Sequence, residues 1–395
     1  MKLFLVLMLC FSQLIHAQTW AKIADFPSNP RDDGSRFFIG NSVYCGLGSQ
    51  SIGGCANDFF AFDLATETWS AIATMPSGME RQYASSFSAN GNGYIFGGIN
   101  CSGLLFNDLW EYNSTANVWT QKTTMPAIER YGCVSFVINN IAYIIGGKTL
   151  TNNGIPDVWA YDIFLNSWTQ KTSMPTNGMW RGVSYQYNGL GMVGLGLNGL
   201  NQYNKFFYEY NPATDSWNTI ASLSHGGRTY AGYSQINQYG YLFGGIDSLN
   251  VISPTFEKID LQNYTTTSLP AFTDTARKGC MTFTGSDAFY VTTGVSATKR
   301  FKSTWKISQI VGINELHSNH GISVYPNPTT ETITIQSNHD AIIHIEIYDV
   351  FGKQVFYQEA NEKIVHLKLP LPKGIYILKG LTFTNYAINY KIVIY

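Results

Sequence analysis

Tyr94-Ile95-Phe96-Gly97-Gly98, Tyr143-Ile144-Ile145-Gly146-Gly147 and Tyr241-Leu242-Phe243-Gly244-Gly245 are three copies of one motif, an apolar run closed by a glycine pair. Weaker copies end at Gly48, Gly196 and Gly294. The final glycines fall at 48, 98, 147, 196, 245 and 294, one step of 50 residues and four of 49. Trp20, Trp69, Trp119, Trp168 and Trp217 keep the same period. Two markers on one clock mean that a single structural unit is copied six times.

The third copy shows the unit well. Arg130 opens a strand through Val134 and Phe136, Asn139-Asn140 makes a turn, and Ile141 to Ile145 forms a second strand ending at the glycines. Asp157 to Tyr161 alternates as a third strand, and Asn166-Ser167 turns the chain into a fourth at Trp168. These residues resemble kelch repeats. The glycine pair, the spaced tryptophan and the aromatic pairs Trp110/Tyr112, Trp159/Tyr161 and Tyr208/Tyr210 carry the resemblance, over about residues 19 to 308. The resemblance implies an all-β, six-bladed kelch β-propeller.

Trp20 precedes any other strand of the repeat, and the sixth copy ends with a third strand at Ser303-Thr304-Trp305-Lys306-Ile307 and no fourth. Pairing these two segments closes the ring and hides its edges. The tryptophans and paired aromatics are expected to pack between blades.

The period stops after Ile310, and residues 309–321 read as a linker. Alternating strands follow from 322, and some 70 residues of antiparallel strand suggest a small immunoglobulin-like β-sandwich. Tyr325-Pro326-Asn327-Pro328, Ile347-Tyr348-Asp349-Val350-Phe351-Gly352-Lys353 and Leu371-Pro372-Lys373-Gly374-Ile375-Tyr376 resemble the type A C-terminal sorting domain of the type IX secretion system, over about 322–395. The resemblance implies the type IX machinery as a partner and a product that is secreted or held at the outer cell surface.

Other features bound the reading. Met1-Lys2, the apolar run from Leu3 to Ile15 and Ala17 read as a signal peptide over 1–17, leaving a propeller over 18–308. That run is shorter than the ~20 residues that span a bilayer, and no later segment replaces it, so no transmembrane segment is expected after signal removal. With 25 basic and 26 acidic residues the chain carries no nucleic-acid footprint. Cys55 and Cys101 occupy equivalent loops of neighbouring repeats and are the expected disulfide pair; Cys133 and Cys280 read as small core residues. No cysteine or histidine spacing suggests a metal, and no cofactor is expected.

The most informative polar feature is an arginine column. Arg31, Arg81, Arg130, Arg228 and Arg277 each stand 17 residues before their marker glycine; in the fourth copy that place is Met179, with Arg181 two residues on. By propeller geometry these six positions converge near one channel mouth. Two readings are open: a positive ring capturing carboxylate, sulfate or phosphate, or bracing of adjacent blades through Glu80, Glu129, Asp32 and Asp33. Asp58, Asp108 and Asp157 read as turn or capping residues. The expected function is a glycan- or protein-binding module using this mouth. The chain is also similar to kelch propellers that act on sialic acid as mutarotases, which implies an alternative role as a mutarotase or epimerase, with Glu80 or Glu129 as acid or base. A copper oxidase of the related type would need paired histidines, and the propeller segment contains only His225.

Overall fold

In the computed structural model, residues 18–222, 226–310, 322–337, 340–349, 353–383 and 387–395 are described. The expected signal peptide, His225, residues 311–321 of the linker with His317 and His320, and Val350-Phe351-Gly352 lie outside them. The chain divides into two units, 1–310 and 311–395. Among the described residues there is no helix.

The first unit holds six four-stranded antiparallel sheets among its described residues. Blade 3 is formed by Val134–Ile138, Ile141–Ile145, Val158–Asp162 and Ser167–Lys171, in that order. Because each sheet is covered on both faces, its inner strands read as continuous apolar runs and not as an apolar-polar alternation. Ala142 and Ile144 pack on blade 2 residues such as Phe96 and Leu109, while Tyr143 and Ile145 pack on Val193 and Tyr210 of blade 4. The core is therefore divided among the seams between blades.

The glycine marker is a staple between blades. The N–H of Gly48, Gly98, Gly147, Gly196, Gly245 and Gly294 donates to the carbonyl of Arg81, Arg130, Met179, Arg228, Arg277 and Arg31 respectively, at 2.7 to 3.4 Å. Gly147 has φ 103°, and a Cβ there would stand 2.5 Å from the Cys133 sulfur, so only glycine fits. The tryptophans form a second, outer staple. The indole N–H of Trp69, Trp119, Trp168 and Trp217 donates to the carbonyl of Ala24, Ala73, Thr123 and Thr172, one repeat earlier.

The last blade is shared by the two ends of the unit. Trp20–Lys22 pairs antiparallel with Thr304–Ser308, Trp20 opposite Ile307. The Trp20 ring is buried against Phe243, Phe256, Phe272 and Phe289, and its N–H donates to Pro270 O at 3.0 Å. The disulfide joins Cys55 to Cys101. Cys133 and Cys280 each precede their strand and border the channel, and Cys133 also packs against the core between blades 2 and 3, as expected of a small core residue.

The second unit is a sandwich of a three-stranded and a four-stranded sheet. Its core joins Ile333 and Ile335 of one sheet to Ile345, Ile347, Leu378 and Ile392 of the other.

Candidate functional site at the channel mouth

The arginine column is spent inside the protein. Arg31, Arg81, Arg130, Arg228 and Arg277 are all buried. In each, Nη1 donates to the backbone carbonyl 16 residues on, at Leu47, Gly97, Gly146, Gly244 and Thr293. Each also pairs with a carboxylate. Arg81 grips Asp108 with two parallel bonds of 2.6 and 3.0 Å, Arg31 pairs with Asp58, and Arg130 with Asp157 at 3.2 Å. Arg228 takes Glu257 at 2.6 Å and Arg277 takes Asp274 at 2.5 Å. The residues expected to brace the column are thus replaced by others. Asp58, Asp108 and Asp157, which read as turn residues, are the partners, because a side chain at the start of the third strand lies beside the arginine entering the first. Glu80 accepts from Gly78 N–H and Glu129 is exposed; neither lines the channel.

Arg181 belongs to a different ring. Asp33, Tyr83, Gly132, Arg181, Tyr230 and Gly279 each stand 15 residues before a marker glycine, and all six are left-handed, with φ between 53° and 68°. Their backbones link across the seams. Asp33 N–H donates to Gly279 O, Tyr83 to Asp33, Gly132 to Tyr83, Arg181 to Gly132 and Gly279 to Tyr230, at 2.8 to 3.0 Å. The Arg181 carbonyl accepts from the Thr229 hydroxyl at 3.2 Å. Four non-glycine residues held left-handed in one ring are a strained arrangement of the kind that concentrates at functional sites. At Gly279 a Cβ would press within 2.6 Å of the Asp33 carboxylate, so the absent side chain makes room for that group.

The side chains of this ring gather at one mouth of the channel. The Arg181 guanidinium lies 3.8 Å from the Tyr230 ring centre, 4.0 Å from Trp180 and 4.1 Å from Tyr83. Its Nε is buried with no hydrogen-bond partner among the described residues, as is the Trp180 indole nitrogen. Lys278 Nζ lies 4.6 Å from the Tyr230 ring and Lys148 Nζ 4.7 Å from Trp180. Arg300 pairs with Asp32 on the rim. Burial, helped by the Asp32 charge, pushes the Asp33 carboxyl up to about 8, against the pull of Arg181 and a hydrogen bond from Tyr83. Asp33 therefore holds its proton at neutral pH, and the Arg181 charge is left without a full counter-charge.

Two spaces adjoin this cluster. A bowl of about 690 Å³, lined by Asp33, Tyr83, Tyr230, Lys278 and Arg300 with loops of blades 5 and 6, opens above it. A chamber of about 140 Å³ lies within the channel, bordered by the same ring. At the tips of the loops that follow the marker glycines, Ile52, Leu104, Leu150, Leu200 and Leu249 are exposed. A cationic and aromatic mouth with an apolar rim suits an anionic ligand with an apolar or sugar-like body. Sequence reading named Arg181 for the mouth but not Tyr83, Tyr230, Lys148 or Lys278; the 15-residue offset was a signal for Tyr83 and Tyr230, and none marked the two lysines. Among the described residues no three His, Cys, Asp or Glu side chains cluster as a metal site would require.

Comparison with known proteins agrees with this architecture. The KLHDC2/KLHL20/DRC7 Kelch-repeats domain matches residues 9–183, and the secretion system C-terminal sorting domain matches 323–395. N-acetylneuraminate epimerases of Shigella flexneri and Escherichia coli K12 are 38% identical over 96 residues, 23% of this chain. That segment spans only 25% of their length. The solved structure of YjhT superposes with TM-score 0.61 at 19% identity, covering 71% of this chain and 95% of that one, which is a likeness of fold. Among the described residues no helix is long and apolar enough to cross a membrane. The chain is a kelch-repeat propeller carrying a secretion-system C-terminal sorting domain, which marks it for export through the type IX system to the cell surface or the medium.

Proposed function

We propose that the exported propeller is a binding module that captures an anionic sugar at the channel mouth, with the ligand carboxylate on Arg181. The observation that carries this reading is the state of Arg181. Among the described residues it is the arginine of the original six that has no ion pair, and it sits among three aromatic faces beneath a bowl large enough for a monosaccharide. Lys148 and Lys278 add positive charge on either side. The partial match to N-acetylneuraminate epimerases supports an acidic sugar as the ligand class. The test is equilibrium binding of N-acetylneuraminate and of neutral N-acetylmannosamine to the mature chain. Selective binding of the acid supports the reading; equal binding of both, or binding of neither, contradicts it.

One observation favours a second reading, a mutarotase or epimerase. Asp33 holds a proton near neutral pH beside Tyr83 and Arg181, as a general acid or base must. In that reading Asp33 takes the role first expected of Glu80 or Glu129. Anomer exchange followed by proton NMR separates the two: a binder leaves the exchange rate unchanged, and an enzyme accelerates it and loses the acceleration in Asp33→Asn.

A further inference from the structure

Below the mouth a second arginine is left without a counter-charge. Arg36, in the innermost strand Ser35–Ile39 of blade 1, borders both the 140 Å³ chamber and a further space of about 220 Å³ toward the opposite end of the channel. Its side chain leaves blade 1 and crosses to blade 5, where Nη2 donates to the Tyr233 carbonyl and the guanidinium lies 5.2 Å from the Tyr233 ring. It thus stands at the waist of the channel.

Among the described residues no carboxylate forms an ion pair with Arg36. Burial lowers the proton affinity of Arg36, opposed by the Tyr233, Cys45 and Tyr185 side chains around it. Burial also pushes the Cys45 thiol up to about 12, so it supplies no charge. Around it the channel wall is made of hydroxyls. Ser86 donates to the Arg36 carbonyl, Ser135 to Ser86 O, and Ser184 to Ser135 O. Arg36 is part-buried against the channel, and an arginine cannot relieve its desolvation by giving up its proton, so an anion beside it is favoured. The contrast with the column is informative: five buried arginines of the same propeller each have their own carboxylate, and this one has a cavity on either side.

We infer that the channel waist is an anion site, in which Arg36 holds a compact monovalent anion, a halide or a one- or two-carbon carboxylate, inside the 140 Å³ chamber. The guanidinium supplies the charge through its Nε and Nη1 protons, and the chamber volume excludes larger anions. The site is distinct from the mouth: Arg181 and Asp33 border the chamber from one end and Arg36 from the other.

The test uses the mature full chain and three probes at one ionic strength: sodium chloride, sodium formate and sodium gluconate. Thermal midpoints are measured for the wild type, Arg36→Met and Arg181→Met. Binding to the folded state raises the midpoint with probe concentration. The expected result is a midpoint several degrees higher in chloride or formate than in gluconate for the wild type and Arg181→Met, and no difference in Arg36→Met. Which small anion acts identifies the source. If Arg36→Met does not fold, chlorine-35 NMR decides on the wild type and Arg36→Lys, with excess chloride line broadening displaced by bromide in the wild type and weakened in Arg36→Lys. Equal midpoints in all three salts for the wild type, or an anion effect that survives Arg36→Met, overturns the inference. Loss of the effect in Arg181→Met alone would move the anion to the mouth and overturn it equally.

Discussion

The backbone N–H of Gly294 donates to the carbonyl of Arg31 at 2.8 Å, so the last repeat grips the first by the same bond that each earlier repeat uses on its successor. The seam is reinforced by Trp20–Lys22, which completes the last sheet. Deleting residues 18–26 exposes the edge of Thr304–Ser308 and removes Trp20 and Phe26 from the core. The expected outcome is loss of cooperative unfolding across the whole propeller. Trp20→Ala alone should cost about 3 to 5 kcal/mol, read from chemical denaturation of the mature chain.

Arg81 and Asp108 test the bracing role of the column. Both are buried, and removing one leaves the other charge unpaired. Arg81→Met and Asp108→Leu should each destabilise by about 3 to 5 kcal/mol, and the double substitution by clearly less than their sum. Sugar affinity, measured on whatever fraction folds, should stay within about twofold, since neither residue lines the bowl.

This division of labour shows what was legible in the sequence. The period of glycine and tryptophan contains the repeat, the strand order and the ring closure, because each marker is a backbone or indole bond to the neighbouring repeat. The arginine column was equally visible, yet its role was not. Asp58, Asp108 and Asp157 lie 27 residues downstream of Arg31, Arg81 and Arg130, and only strand pairing brings them beside the guanidinium groups. Glu80 and Glu129 are sequence neighbours of arginines, but Glu80 accepts from Gly78 N–H and Glu129 is exposed, while the guanidinium groups turn to Asp108 and Asp157. Left-handed backbone at Tyr83, Arg181 and Tyr230 has no sequence signal in residues of that size. Gly132 and Gly279 at the same offset were the one hint.

Asp33 gives the propeller a pH dependence of known sign. An aspartate that ordinarily titrates at 3.8 is pushed up to about 8 in the folded chain. Between these values the folded state holds a proton that the unfolded state has released. The resulting stability is fully present below about pH 4, declines as pH rises, and is gone above about pH 8. Denaturation midpoints across this range should fall in the wild type, and Asp33→Asn should remove that component of the slope.

The disulfide closes a loop of 46 residues between blades 1 and 2. Chain-entropy arguments assign such a closure about 4 kcal/mol. Cys55→Ser with Cys101→Ser should lower the unfolding free energy by about 2 to 4 kcal/mol while leaving the fold intact by circular dichroism.

The most direct test of the central claim is calorimetric titration of N-acetylneuraminate into the mature wild type and Arg181→Met at two salt concentrations. If Arg181 holds the ligand carboxylate, the substitution weakens binding by at least about tenfold, ~1.4 kcal/mol, and added salt weakens the wild type more than the variant. Unchanged affinity in a folded Arg181→Met protein would contradict the account and leave the mouth without its anion site.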